Sequence, residues 1–245
     1  MESRSPQRTT SSFAATRWTL VLAAGEATGQ AAALEELCQA YWQPIYAYIR
    51  HCGHPTAEAE DLTQGFFARL IEHSDLSAAD PSRGRFRAFL MVCLRNFMAN
   101  QHDREMAVKR GGRIRVSPLE FGNADQSYQR EPSHDLTPAK LFERRWAMTV
   151  LDRVMTQLRD YYVQAGKLAL FEALKPMLAS EDGEKNSCAA VAARLGTTAN
   201  AVKTAAYRLR VLYRQTLRAQ IAETVATEEE IDEEIRHLLT ALSNE

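Results

Sequence analysis

The chain has 245 residues, of which 45% are hydrophobic and 25% are charged. These values are typical of a soluble globular protein with room for one large or two small domains. No apolar run approaches the roughly 20 residues of a membrane span, and the opening segment MESRSPQRTTSSFAATRW lacks the apolar core of a signal peptide. We therefore expect a cytoplasmic protein without membrane insertion, in which residues 1–16 form a disordered polar arm.

The residues that could bind a metal or act as a nucleophile form no catalytic arrangement in the sequence. The 4 cysteines lie far apart and form no C-x-x-C pair, and the 6 histidines are scattered. Cys52 and His54 are candidate ligands, but no second pair is spaced to complete a metal site. We predict no metal, no cofactor, no catalytic residue and no small-molecule substrate, so the chain is not expected to be an enzyme.

The net charge of −1 hides an uneven distribution of charge. Basic residues far outnumber acidic ones between Arg83 and Arg115, no acid occurs between Arg194 and Arg218, and residues 228–245 are strongly acidic. Two basic stretches in a near-neutral chain indicate two places that meet a polyanion. The alternative is that these charges belong to solvated helix faces.

In chain order, helical periodicity dominates the first part. One helix face is predicted from Leu34, Leu37, Cys38, Tyr41, Ile45 and Tyr48, with Pro44 expected to kink or divide the helix. A second helix is expected after His54-Pro55-Thr56, with acidic residues in its first turn. The segment GRFRAFLMVCLRNFMANQHDR then predicts a third, amphipathic helix, with its apolar stripe made of Phe86, Phe89, Leu90, Cys93, Leu94, Phe97 and Met98.

Residues 111–137 are rich in glycine, proline and polar residues, which predicts a flexible linker between domains. Thr137 is then a plausible N-cap with Pro138 at the first helical position. The inner face of this helix is predicted to be Leu141, Met148, Leu151, Met155 and Leu158. Further helices follow and no strand pattern occurs, so the predicted fold is all-α, with two small helical domains joined by the linker and an acidic amphipathic helix at the end.

The segment AAVAARLGTTANAVKTAAYRLRVLYR carries the most specific motif, a helix-turn-helix. Ala192 supplies the small residue where two helices cross, and Gly196 supplies the turn residue that tolerates positive φ. Val202 supplies the apolar contact of the second helix with the first, and Thr198 can cap that second helix.

The second helix of this motif is expected to present Asn200, Lys203, Thr204, Tyr207 and Arg208 outward. Such side chains suit base edges and phosphates in the major groove, with Asn200, Lys203 and Thr204 as the expected base readers. Arg210, Arg214 and Arg218 are expected to touch phosphates or to solvate the helix. The alternative is a purely structural helical hairpin.

The helix containing AEDLTQGFFARLIE is apolar on two faces. Leu62, Phe66 and Leu70 share one face, whereas Asp61, Gln64, Phe67 and Ile71 share another. An aromatic anchor beside hydrogen-bonding groups is typical of a protein interface. The alternative is a helix buried on both sides within a bundle.

Taken in order, EDLTQGFFARL, GRFRAFLMVCLRNFMANQHDR, a tether and a C-terminal helix-turn-helix resemble the bacterial RNA polymerase sigma factors of the sigma-70 family, in particular the extracytoplasmic-function group. The D-x-x-Q-x-x-F spacing of Asp61, Gln64 and Phe67 resembles the family's clamp-binding pattern. The FRAFL and LRN segments resemble its promoter-melting helix, with Phe89 at a place often held by Trp.

The resemblance implies two functional domains. Residues 17–110 would be a region 2-like domain that binds the clamp coiled coil of the largest polymerase subunit through Asp61, Gln64, Phe67 and Ile71. That domain would also bind the minus-ten promoter element. The minus-ten contacts are expected from Arg83, Arg85, Arg87, Phe89, Arg95, Asn96 and Asn100.

Residues 138–220 would be a region 4-like helix-turn-helix (winged-helix-like) domain that reads the minus-thirty-five element. Its expected contacts are Thr198, Asn200, Lys203, Thr204, Tyr207 and Arg208. The expected partners are thus core RNA polymerase and promoter DNA, and an anti-sigma factor is left open as a further partner.

Residues 221–245 continue past the helix-turn-helix as an acidic helix. Its apolar stripe contains Ile231, Ile235, Leu238, Leu239 and Leu242. One hypothesis is that this helix packs on the C-terminal domain and shields its basic face until polymerase binds. The alternative is a stabilising helix with a solvated acidic face.

Two rival functions remain at this point. The first is a helix-turn-helix transcription regulator with a helical sensor domain that acts without being a polymerase subunit. The second is a helical scaffold with incidental basic faces.

Overall fold

The computed structural model describes residues 30–72, 85–107, 136–178, 184–222, 224–225 and 227–243. Regular structure within these ranges is helical and includes no strand, which confirms the predicted all-α class. In the first part lie α1 (Gln30–His51), α2 (Thr56–Glu72) and α3 (Phe86–Ala107). The later part holds α4 (Pro138–Gln164), α5 (Leu168–Leu174), a short 3-10 helix (Lys175–Leu178), α6 (Glu184–Leu195), α7 (Ala199–Ala222) and α8 (Glu230–Ser243).

Helices α1 to α3 share an aromatic core. Tyr41 of α1 contacts Phe86 of α3 edge to face at 5.4 Å between ring centroids, and Phe66 of α2 contacts Phe97 of α3 in the same way at 5.7 Å. Such edge-to-face pairs are favoured by the quadrupoles of the rings. Helix α1 runs through Pro44 without being divided, so of the two outcomes expected for this proline, division is wrong.

The start of α4 follows the sequence prediction closely. Thr137 is the N-cap, with its side chain accepting a hydrogen bond from the Lys140 backbone N–H at 3.3 Å, and Pro138 occupies the first turn. Residues 111–135 of the predicted linker (111–137) lie outside the described residues. Its function as a domain boundary stays a prediction.

The predicted inner face of α4 is right except at Met148. Leu141 and Leu158 are buried, Leu151 and Met155 are partly buried against the core, and Met148 is exposed. Trp146, Val150 and Val154 are also buried. The buried surface of α4 is broad because α1, α7 and α8 all pack against it, so a single stripe does not describe it.

Packing of α1 along α4 joins the two predicted halves. Helix α8 also packs against α4 and α7, and the buried side chains of both halves form one continuous cluster. The first part of the chain and the last part are therefore in contact in this structure.

Two negative findings apply to the described ranges only. No helix there is long and apolar enough to cross a membrane. Nor do those ranges bring together three or more Cys, His, Asp or Glu side chains suited to a metal ion.

Candidate nucleic-acid interface

The turn between α6 and α7 has the geometry that the helix-turn-helix prediction requires. Gly196 has φ +64°, and the Thr197 N–H donates to the Ala192 carbonyl at 3.0 Å, which closes the end of α6 as a Schellman motif. The Ala201 N–H donates to Thr198 Oγ1 at 3.2 Å, so Thr198 caps α7 as predicted. Ala192 and Val202 are both buried, as their predicted contact positions require.

The predicted recognition face of α7 is open to solvent. Its members, each of them exposed, are Asn200, Lys203, Thr204, Tyr207 and Arg208. Tyr207 is 65% exposed, although a tyrosine ring is a large amphipathic group. Thr204 Oγ1 donates to the Asn200 carbonyl at 3.0 Å, a local bond that leaves the Asn200 side chain available. This face can therefore meet a duplex without rearrangement of the helix.

The arginines further along α7 behave differently. Arg210 Nη2 donates to the Met177 carbonyl at 2.9 Å and so ties α7 to the 3-10 helix. Arg218 pairs with Asp232 of α8. Of the three arginines expected to touch phosphates or solvent, these two have protein partners, and Arg214 is exposed.

On α2, the predicted polymerase-binding residues do not form one exposed patch. Asp61 is exposed and Gln64 is half-buried. Phe67 is only 2% exposed and contacts Phe66 edge to face at 5.4 Å. Ile71 lies in α2, but its side chain is outside the described part of the structure. Phe67 thus lies in the core here, and the contact of these residues with polymerase stays a prediction.

Along α3, the predicted minus-ten residues divide into exposed and occupied groups. Asn96 and Asn100 are exposed. Phe89 is half-buried and stacks on Phe86 at 6.0 Å. Arg95 is exposed; burial raises the pKa of Tyr48, and the nearby Arg95 opposes that rise. Arg83 lies outside the described residues.

The arginines at the start of α3 are held by acids from distant parts of the chain. Arg85 Nε lies 2.8 Å from Glu234 Oε2, and Arg85 Nη2 lies 3.1 Å from Glu233 Oε2. The other arginine, Arg87, donates from Nε to Glu143 Oε2 at 2.7 Å and from Nη1 to Glu234 Oε1. We call Arg85, Arg87, Glu143, Trp146, Glu233, Glu234 and His237 the junction cluster, because it joins α3, α4 and α8.

The central ion pair of the junction cluster, between Arg87 and Glu234, is buried. The side chain of Glu234 is 0% exposed and that of Arg87 is 6% exposed. Burial raises the pKa of Glu234, and the charges of Arg87, Arg85 and His237 oppose that rise. His237 Nε2 lies 3.0 Å from Glu143 Oε2, so the same carboxylate meets both Arg87 and His237.

The sequence did not reveal the acidic partners of the arginines in this cluster. Arg85 and Arg87 lie off the apolar stripe of α3 and were expected to be free for a nucleic-acid strand, which is wrong in this structure. Their acidic partners lie on α4 and α8, beyond the reach of a local pattern. Contact of Arg85 and Arg87 with DNA stays a prediction.

The structure also corrects the shielding hypothesis for the acidic helix. Helix α8 packs on α7 and α4 as expected, with Ile231 and Leu238 buried. Yet the recognition face of α7 is exposed. Glu233 and Glu234 pair instead with Arg85, just before α3, and Glu234 also pairs with Arg87. Leu239 of the predicted apolar stripe is 53% exposed.

Comparison with protein families gives one finding that bears on this arrangement. Residues 37–107, from α1 to the end of α3, match the family model for Sigma-70 region 2. The match covers less than a third of the chain, and it shows that these three helices are similar to Sigma-70 region 2. The comparisons with curated proteins and with solved structures gave no match.

Proposed function

We propose that the chain is a sigma factor of the extracytoplasmic-function group, which binds core RNA polymerase and directs promoter recognition and opening in the cytoplasm. The observation that carries this proposal is the order of two modules. A Sigma-70 region 2 match over residues 37–107 is followed by a helix-turn-helix with a capped, solvent-exposed second helix. A region 2 module supplies the polymerase contact, and a helix-turn-helix supplies duplex recognition.

The upstream contact would come from α7. Its N-terminal part carries Asn200, Lys203 and Thr204 side by side on an exposed face. Asparagine suits adenine edges and lysine suits guanine edges or phosphates in the major groove. Thr198, Tyr207 and Arg208 would contact the sugar-phosphate backbone of the DNA and so fix the register of the domain on the minus-thirty-five element.

The downstream contact would come from α3. Asn96 and Asn100 are exposed one turn apart, and Phe89 lies near the start of the same helix. Holding an unstacked base is worth about 1–3 kcal/mol, which is comparable with the cost of flipping a base out of the stack. A few such contacts therefore favour the open strand of the minus-ten element.

The polymerase contact would come from α2, through the exposed carboxylate of Asp61 and the half-buried amide of Gln64. Phe67 would support this surface from beneath, since its ring packs against Phe66. The expected target is the clamp coiled coil of the largest subunit. An anti-sigma factor would be a further partner of the same domain.

The test of this proposal is co-migration with core polymerase. Purified chain and purified core enzyme are mixed and separated by size-exclusion chromatography. A sigma factor forms a complex with core enzyme in the absence of DNA. A regulator that acts without being a polymerase subunit, or a scaffold, elutes separately from core enzyme.

A further inference from the structure

Arg85 lies one residue before α3 and faces the acidic helix α8. Its guanidinium lies within 2.8 Å of Glu234 and within 3.1 Å of Glu233, and its side chain is 23% exposed. A guanidinium presents the same planar set of donors to a carboxylate and to a phosphate. A nucleic-acid phosphate and these two carboxylates therefore compete for the same positively charged guanidinium, which meets Glu234 Oε2 as an ion pair without a hydrogen bond.

Resting on the proposed function, we propose that α8 is an intrachain competitor of the promoter strand: Glu233 and Glu234 occupy Arg85 in the free chain and must leave it before α3 engages DNA. The free protein is thus held in a form with reduced affinity for single-stranded DNA. Separation of α8 from α3, as when polymerase binds the first three helices, releases the arginine.

The position of α8 is fixed by contacts that do not involve α3. Ile231 and Leu238 are buried, and α8 packs against α4 and α7. Asp232 pairs with Arg218 of α7. Because the helix is anchored in this way, its two acids stay next to Arg85 at a high effective concentration. A free strand has to displace them.

Arg85 and Arg87 differ in how firmly they are held. Within the described residues, Arg85 forms ion pairs with two acids of α8. Arg87 also pairs with Glu143 of α4, and its guanidinium lies over the ring of Trp146 at 4.7 Å. Removing the acids of α8 therefore releases Arg85 and leaves Arg87 held, so Arg85 is the side chain through which the competition is measured.

The test measures the affinity of the full chain for single-stranded DNA as a function of salt. The probe is a fluorescein-labelled single-stranded oligonucleotide of mixed sequence, because phosphate contacts are independent of sequence. Wild type is compared with the double variant Glu233→Gln, Glu234→Gln. The matched control is Glu228→Gln, Glu229→Gln, which removes the same charge from exposed positions just before α8.

We expect the double variant to bind more tightly and with a steeper salt dependence. One added phosphate contact on a single strand steepens the slope of log K against log salt by about 0.7. The ratio of the double variant's affinity to the wild-type affinity then falls by about 2.6-fold between 50 and 200 mM salt. The control keeps the wild-type slope. The face of α7 contributes equally throughout, since no substitution lies on it.

A cycle with Arg85→Gln identifies the residue responsible. In the double-variant background this substitution returns the slope to the wild-type value, whereas in wild type it changes the slope little. Glu233 is mostly exposed, with 62% of its side chain accessible. If substitution at the buried Glu234 impairs folding, the single variant Glu233→Gln is used instead. It is expected to raise the affinity for single-stranded DNA by a smaller factor than the double variant.

Equal slopes in the double variant and its matched control, with helix content intact by circular dichroism, overturn the inference. Core polymerase takes no part in this measurement, so such a result leaves the sigma-factor proposal standing. Conversely, failure to co-migrate with core enzyme overturns that proposal without altering the salt slope.

Discussion

The guanidinium of Arg87 lies 4.7 Å from the ring centroid of Trp146, while its nitrogens pair with Glu143 and Glu234. One side chain at the start of α3 thus contacts both α4 and α8. Arg87 connects the first part of the chain, where the family match lies, to the last part.

Replacing Arg87 with alanine is expected to lower the free energy of unfolding by about 3–5 kcal/mol, because Glu234 would be left buried without its closest partner. The measurement is urea unfolding followed by circular dichroism. Arg159→Ala is the control. Arg159 lies 4.0 Å from Glu172 and both side chains are about half exposed, so its loss should cost about 0.5 kcal/mol or less. Equal effects of the two substitutions would contradict the structural importance of the junction cluster.

Two glycine substitutions should have opposite effects on the free energy of unfolding. Gly196 has φ +64° with no atom near an added Cβ, so Gly196→Ala costs only the conformational penalty, about 1 kcal/mol. Gly65 lies within α2, where an added Cβ would meet Phe97 at an ordinary 3.5 Å. Gly65→Ala is therefore expected to stabilise the chain by about 0.5–1 kcal/mol. Thermal unfolding of both variants checks this, and a destabilised Gly65→Ala would contradict the packing of α2 on α3.

Lys203→Ala should weaken duplex DNA binding without changing stability, because Lys203 is exposed on α7. A lost phosphate contact reduces the slope of log K against log salt by about 0.9 on duplex DNA. The control is Lys167→Ala, which removes an exposed lysine just before α5. If both variants lower the slope equally, the effect is one of net charge, and α7 has no special place in DNA binding.

Cys38 should be inert in the folded chain. Burial, with a smaller contribution from Glu35, raises the pKa of its thiol to about 12, so at pH 8 the thiolate fraction is on the order of 10⁻⁴. Cys52 is exposed and provides the internal comparison. Mass spectrometry after brief alkylation at pH 8 should find Cys52 modified and Cys38 unmodified, and urea should make both react. Rapid native labelling of Cys38 would show that α1 is not packed as described.

The double substitution Asp61→Ala, Gln64→Ala should weaken binding to core polymerase while leaving DNA binding by α7 intact. Asp61 is exposed and Gln64 half-buried, so folding should be little affected. The measurement pairs a polymerase pull-down with a duplex-binding titration. Unaltered polymerase binding would show that polymerase does not bind through Asp61 and Gln64, so that the contact lies on another surface of the first three helices.

The helix-turn-helix could be predicted from the sequence because its determinants are local. Ala192, Gly196, Thr198 and Val202 lie within one short segment, and each position has a steric or hydrogen-bonding requirement that few residue types meet. The N-cap of α4 at Thr137 is local in the same sense. The structure confirms both.

The junction cluster could not be predicted because its determinants are distant. Arg87 is separated from Glu143 by 56 positions and from Glu234 by 147. Periodicity correctly placed Arg87 off the apolar stripe of α3. A charged side chain outside such a stripe can still be buried when an acidic residue from another helix pairs with it. Phe67 shows the converse case, since this aromatic member of the second face of α2 is buried within the protein.

The most direct test of the central claim is run-off transcription by core polymerase with the purified chain. The template carries a promoter recovered by sequencing the transcripts that this mixture starts on fragmented genomic DNA. We predict a discrete run-off product that requires the chain and is lost with the Asp61→Ala, Gln64→Ala variant. Transcription by core enzyme that the chain neither starts nor redirects would contradict the assignment as a sigma factor.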